Sequence, residues 1–219
     1  MNAELFDALM IMMFISNFGL LSSSRILACV SFLAFQGIIS SIVPLTHSMG
    51  LAPLLFCVVI MLLKGFIFPW LIRRALSAVS AKREVEPIVG YTASILTGLL
   101  ALIIIFICCR GINFNREILS PIGVPAAIFT IFTGLFLIVA RVKALTQVIG
   151  YVVFENGIYL LGASLMIEQG FLVELGIILD LLGFVLIAGI VTFHINRAFD
   201  HIDTDNLLAS EAETVKTKT

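Results

Sequence analysis

Seven apolar runs account for most of this chain, at roughly 4–22, 26–44, 51–72, 89–109, 122–140, 145–166 and 170–195. Each is about 20 residues long, the length an α-helix needs to cross the ~30 Å hydrocarbon core of a bilayer. No water is available in that core, so each span must satisfy its own backbone hydrogen bonds and is expected to be helical. The runs are too continuous for the alternating pattern of barrel strands. The expected fold is an all-α integral membrane protein of about seven transmembrane helices.

Composition agrees: 60% of the residues are hydrophobic and only 12% charged, against roughly 25% charged in soluble domains. A net charge of -1 offers no basic face for nucleic acid. No basic residue precedes the first run, and its start carries the acids Glu4 and Asp7 instead, which argues for a retained span over a cleaved signal peptide. Cys29, Cys57, Cys108 and Cys109 all lie in apolar runs with no C-x-x-C spacing, and read as small apolar filler. His47, His194 and His201 are scattered, and no hydrolase triad, zinc spacing, haem-type histidine pair or phosphate loop is present.

Lysine and arginine set the orientation. With the N-terminus outside, the inner connections hold Arg25; Arg73, Arg74, Lys82 and Arg83; Arg141 and Lys143; and Arg197, Lys216 and Lys218 in the tail. The outer connections hold only Arg110 and Arg116. This asymmetry predicts the N-terminus outside and the C-terminus cytoplasmic under the positive-inside rule. The organisation is then helices 1–3 over 1–76, a cytoplasmic loop over 77–87, helices 4–7 over 88–200 and a polar cytoplasmic tail over 201–219.

Charged groups inside the spans need a reason, because lipid penalises them. Glu155 lies twelve residues beyond Lys143, roughly 18 Å along the helix and too deep to reach the interface. Asn156 beside it offers an amide for bonding between helices. Asp180 is ten residues into the last run. Glu174 sits near the start of that run, and about 240° around the helix from Asp180, so the two should not share a face. Lys64 lies nine residues from Arg73. It either snorkels to the inner surface or faces the protein interior against a carboxylate. Gln36 is a neutral polar side chain in the second run, suited to an interhelical hydrogen bond. Ala126, Thr130 and Gly134 form a small-residue row that marks a close packing face. A carboxylate at Glu155 or Asp180 acts either in a proton or ion path or as a protonated interhelical hydrogen-bond donor.

An internal repeat is faintly visible. Arg25 opens the run carrying Gln36-Gly37, and Arg141 precedes the run carrying Asn156-Gly157. Each is followed by a run with a charge, Lys64 or Asp180. Spans 1–3 and 5–7 can be read as parallel copies of one three-helix unit, or as chance likeness among apolar helices.

The chain resembles the hydrogenase 4 component E family, membrane subunits of complex-I-related hydrogenases. The likeness rests on Arg141, Ile149-Gly150-Tyr151, Glu155-Asn156-Gly157, Val173-Glu174-Leu175-Gly176-Ile177, Asp180 and Asp205-Asn206-Leu207, with Arg25, Gln36, Lys64 and Pro69 in the first half. That family is similar in turn to the three-span K-type subunit of complex I, whose equivalent here would be about 122–196. The K-type membrane glutamate would fall at Val152, one turn before Glu155, and Asp180 would stand near its second buried acid. The resemblance implies a non-catalytic membrane-arm subunit of the bacterial or archaeal cytoplasmic membrane. It would sit beside antiporter-like and H-type subunits, with nickel-iron and iron–sulfur centres on partner chains and no cofactor of its own. Glu155, Asp180, Lys64, Gln36, Asn156 and Glu174 are the expected proton- or ion-path positions. A purely structural assembly subunit and a free-standing secondary transporter are the alternative functions.

Overall fold

A computed structural model describes residues 3–47, 50–78, 88–110, 120–165, 176, 178–186 and 188–189. The apolar runs fold as helices, as backbone self-satisfaction requires: α1 (Ala3–Ser22), α2 (Ile26–His47), α3 (Leu51–Ile60), α4 (Phe68–Ala78), α5 (Tyr91–Arg110), α6 (Gly123–Ala140) and α7 (Ala144–Ser164). No strand occurs among the described residues. Among the described residues, five helices are long and apolar enough to cross a membrane: α1, α2, α5, α6 and α7.

The run after α2 is helical from 51 to 78 but not uniformly so. Between α3 and α4 lies a π-helical segment, Met61–Ile67. Pro69 follows it closely. A proline has no N–H and its ring crowds the carbonyl four residues back, here that of Gly65. Widening the preceding turns relieves that crowding. The segment carries Lys64, which it holds buried.

Lipid tails are as apolar as leucine, so helices here gain little from hiding apolar surface and rely on close contact. Glycines supply that contact. A Cβ at Gly134 of α6 would collide with the backbone of Phe154 and with the Gly150 carbonyl of α7. A Cβ at Gly150 would lie 2.8 Å from the Gly134 carbonyl. Farther along, one at Gly157 would lie 2.6 Å from the Ile131 nitrogen. The α6–α7 hairpin is therefore packed backbone to backbone. The Gly134 end of the small-residue row faces α7, while Thr130 turns to α1.

Helix ends are tied together on both sides. At one end the Ser120 hydroxyl donates to Asp7 Oδ1 and accepts the Ile122 N–H at 3.1 Å, joining the starts of α1 and α6. At the other end Arg141 Nη2 donates to the Leu21 carbonyl at 3.2 Å, and Ile88 N–H donates to the Ala140 carbonyl at 3.0 Å. Thus α1 and α6 run parallel, and so do α2 and α7.

Two apolar clusters stack along the bundle. One, toward Arg141, joins Leu20, Ile26, Leu33, Ile72, Leu137, Ile149 and Val153 among others. The second, toward Asp7, joins Phe6, Met13, Ile39, Ile60, Ala127 and Tyr159 among others. Along each helix one cluster stops before the other begins, and the gap holds polar residues: Asn17 on α1, Gln36 on α2, Lys64 on the π segment, Thr130 on α6, and Glu155 and Asn156 on α7. All six are buried.

Candidate functional site

Lys64 is the centre of this polar layer. The π segment brings its backbone against α2, where Gly37 leaves no side chain in the way. A Cβ at Gly37 would lie 2.6 Å from both the Lys64 carbonyl carbon and oxygen. From there the lysine crosses to α7. Its ammonium donates to Glu155 Oε1 as a hydrogen-bonded ion pair, and to Asn156 Oδ1 at 3.3 Å. Asp180 Oδ1 stands 3.3 Å from the same nitrogen, an ion pair without hydrogen-bond geometry. The Tyr159 ring lies below, 6.0 Å from its centroid to Nζ. Side-chain exposures of 5% for Lys64, 1% for Glu155 and 15% for Asp180 make this a desolvated cluster. The snorkelling alternative for Lys64 is overturned: its ammonium is neutralised inside the bundle rather than at the surface.

Asp180 arrives on helical residues 178–186. They are fastened to α7 by Tyr151 Oη, which donates to the Leu179 carbonyl at 3.1 Å. Gly183 lets the two segments approach: a Cβ there would meet the Tyr151 ring at 3.3 Å and Glu155 Oε2 at 3.9 Å.

A second polar chain crosses the same layer. Gln36 Nε2 donates to Asn17 Oδ1 at 2.8 Å. Asn17 Nδ2 donates to Thr130 Oγ1 at 2.8 Å, and Thr130 donates to the Ala126 carbonyl at 2.8 Å. Helices α2, α1 and α6 are thereby linked. Gln36 Oε1, Ser40 Oγ, Glu155 Oε2 and Asn156 Nδ2 are buried without hydrogen-bond partners. Unpaired polar atoms are costly in a core, so each such exception calls for a structural or functional reason.

Of the sequence-predicted positions, Lys64, Glu155, Asn156 and Asp180 converge on one site. Gln36 occupies the same layer in a different chain of bonds. Glu174 lies outside the described residues. Asn17 and Tyr159 were not singled out by the sequence, and Tyr151 entered only as part of the Ile149-Gly150-Tyr151 run, with no site role. Asn17 carried a usable signal, an amide in the middle of an apolar run, whereas the tyrosines look like ordinary apolar filler until their neighbours are known.

Two carboxylates on separate segments share one ammonium. The arrangement holds one cation against two acids in a desolvated layer. Among the described residues no group of His, Cys, Asp and Glu is placed to hold a metal ion.

No family model and no solved structure matches the chain. It is 31% identical over 185 residues to the uncharacterized protein Rv0085 of Mycobacterium tuberculosis (strain ATCC 25618 / H37Rv), which covers 82% of this chain and 84% of that protein. At that identity and coverage, the chain belongs to the same protein family as Rv0085.

Proposed function

We propose that the chain is a non-catalytic membrane-arm subunit of a membrane-bound, hydrogenase-4-type [NiFe] hydrogenase, and that it contributes to proton or ion movement coupled to electron transfer. The observation that carries the reading is the desolvated cluster of Lys64, Glu155 and Asp180 at the middle of the bundle. A buried cation between two acids costs several kcal/mol per ion to desolvate, and membrane spans keep such groups mainly where they serve a path. In this reading the 51–78 helix and the segment around Asp180 complete seven spans, with the N-terminus outside and the tail in the cytoplasm. The charge asymmetry of the connections supports that orientation. Antiporter-like and H-type subunits would flank the chain in the cytoplasmic membrane, and peripheral partners would hold the nickel-iron and iron–sulfur centres.

Two measurements test the proposal. The first is the set of proteins that co-purifies with the chain in mild detergent. Hydrogenase and antiporter-like subunits are expected, and a chain that purifies alone points to a free-standing transporter. The second is Glu155→Gln, which keeps the shape of the side chain and removes its charge. Assembly should persist while coupled ion movement falls. A variant that assembles and pumps as wild type refutes the path. The interhelical ion pair also gives weight to a purely structural role, for which Glu155→Gln is silent and Glu155→Leu prevents assembly.

A further inference from the structure

Basic residues gather at the end of the bundle near Arg141. Arg25 sits between α1 and α2, Arg73 lies on α4, and Arg141 falls between α6 and α7. Among the described residues no carboxylate is found there. Glu4 and Asp7 lie at the opposite end, and Glu155 and Asp180 in the middle layer. Three helices, α2, α5 and α7, also begin at this end, and none has an acidic residue in its first turn. Each helix start carries roughly half a positive charge through its unpaired N–H groups. The start of α7 has no side-chain cap.

Arg141 is the distinctive residue. It is 1% exposed. Nη2 reaches the Leu21 carbonyl, and the guanidinium stands over the Tyr91 ring with its carbon 5.3 Å from the centroid. Nε and Nη1 are buried and have no acceptor. An arginine keeps its charge in proteins and has no neutral form in which to rest. A buried guanidinium with two unused donors is expensive unless an anion completes it.

We propose that this end of the bundle binds a phosphate group, with Arg141 and the uncapped start of α7 as its anchor and Arg25 at its rim. Phosphate matches the need: several acceptor oxygens, negative charge, and favourable interaction with both arginine and a helix start. The charge asymmetry of the connections puts this end at the cytoplasmic headgroup plane, where an anionic phospholipid supplies such a group. A soluble phosphate ester is the other source. The site is independent of the Lys64 cluster and of the hydrogenase reading.

The test uses the full chain, purified and reconstituted in nanodiscs of phosphatidylcholine alone or with added phosphatidylglycerol or cardiolipin. Thermal stability and retained lipid, by mass spectrometry after exchange into neutral detergent, are the readouts. Wild type should be stabilised by the anionic discs and keep anionic lipid. Arg141→Gln should keep about tenfold less, the worth of one charge-assisted hydrogen bond. Arg25→Gln, which leaves the core untouched, should weaken retention several-fold, and Arg110→Gln at the far end should change nothing. If inorganic phosphate in neutral discs reproduces the stabilisation, and Arg141→Gln or Arg25→Gln abolishes it, the site stands with a soluble ligand. Equal stability of wild type in all discs, with or without phosphate, overturns the proposal.

Discussion

Removing the ammonium of Lys64 should cost far more than removing one of its acids. In Lys64→Met, Glu155 loses its hydrogen-bonded cation while its side chain stays 1% exposed. Breaking a buried pair from one side typically costs about 3–5 kcal/mol, because the surviving charge is left in a medium that cannot solvate it. Glu155→Gln is milder. Lys64 keeps Asp180 and Asn156, each at 3.3 Å, and only a charge-assisted bond worth about 1–2 kcal/mol is weakened. In the double variant the orphan charge at 155 is gone, so its cost should fall below that of Lys64→Met. The resulting coupling is about 2–3 kcal/mol, at the upper end for contacting residues. Unfolding by titration with SDS in mixed micelles measures it, and Trp70, the single tryptophan, reports from α4 within two turns of Lys64. Additivity of the two substitutions within about 0.5 kcal/mol would mean that the ion pair is not formed in the membrane-like environment, and the central site would have to be abandoned.

Other parts of the layer give separate expectations. Gly37→Ala should lower stability by about 1–3 kcal/mol, because its Cβ would meet the Lys64 backbone rather than a movable side chain. Gly90→Ala, with open space around it, is the control, and equal titration midpoints for the two would contradict the close approach. Asn17→Leu leaves both Gln36 Nε2 and Thr130 without their partner. A loss of about 1–3 kcal/mol is expected, with Thr130→Val milder, and a neutral Asn17→Leu would refute the cross-layer chain. Tyr151→Phe should speed hydrogen exchange over 178–186, since it deletes the bond to the Leu179 carbonyl. Unchanged exchange there would show that packing alone holds the segment.

What the sequence could show was set by the physics of lipid. Run length and charge distribution mark helices by composition alone, so α1, α2, α5, α6 and α7 lie close to the expected spans. Charges deep in such runs are conspicuous, so Lys64, Glu155 and Asp180 were legible one by one. Their meeting was not. A helix in lipid is apolar all round, and lacks the polar stripe from which a soluble helix reveals its inward face. The contact that places Lys64 depends on a missing side chain at Gly37, on another helix, and on a widened turn ahead of Pro69. Arg141 shows the converse error of counting charges. It enters the topology as an ordinary loop cation, yet it is among the largest fully buried side chains.

The faint repeat gains a physical meaning from where its members stand. Arg25 precedes Lys64 by the same number of residues as Arg141 precedes Asp180. The corresponding helices touch in pairs, α1 with α6 and α2 with α7, and run parallel. The counterpart charges, Lys64 and Asp180, are 3.3 Å apart. The two helix pairs stand side by side, each helix running in the same direction as its counterpart and against it. One copy contributes the base and the other the acid. The sign of each charge should then matter less than their opposition. Lys64→Glu alone puts three acids together, and Asp180→Lys alone puts two bases against Glu155. Each should lose about 3–5 kcal/mol of stability. The double exchange restores one base between two acids, and should recover at least about half of the loss as coupling between contacting sites. If the double variant is no better than the worse single one, then the pairing depends on the π segment presenting a lysine and on nothing more symmetrical.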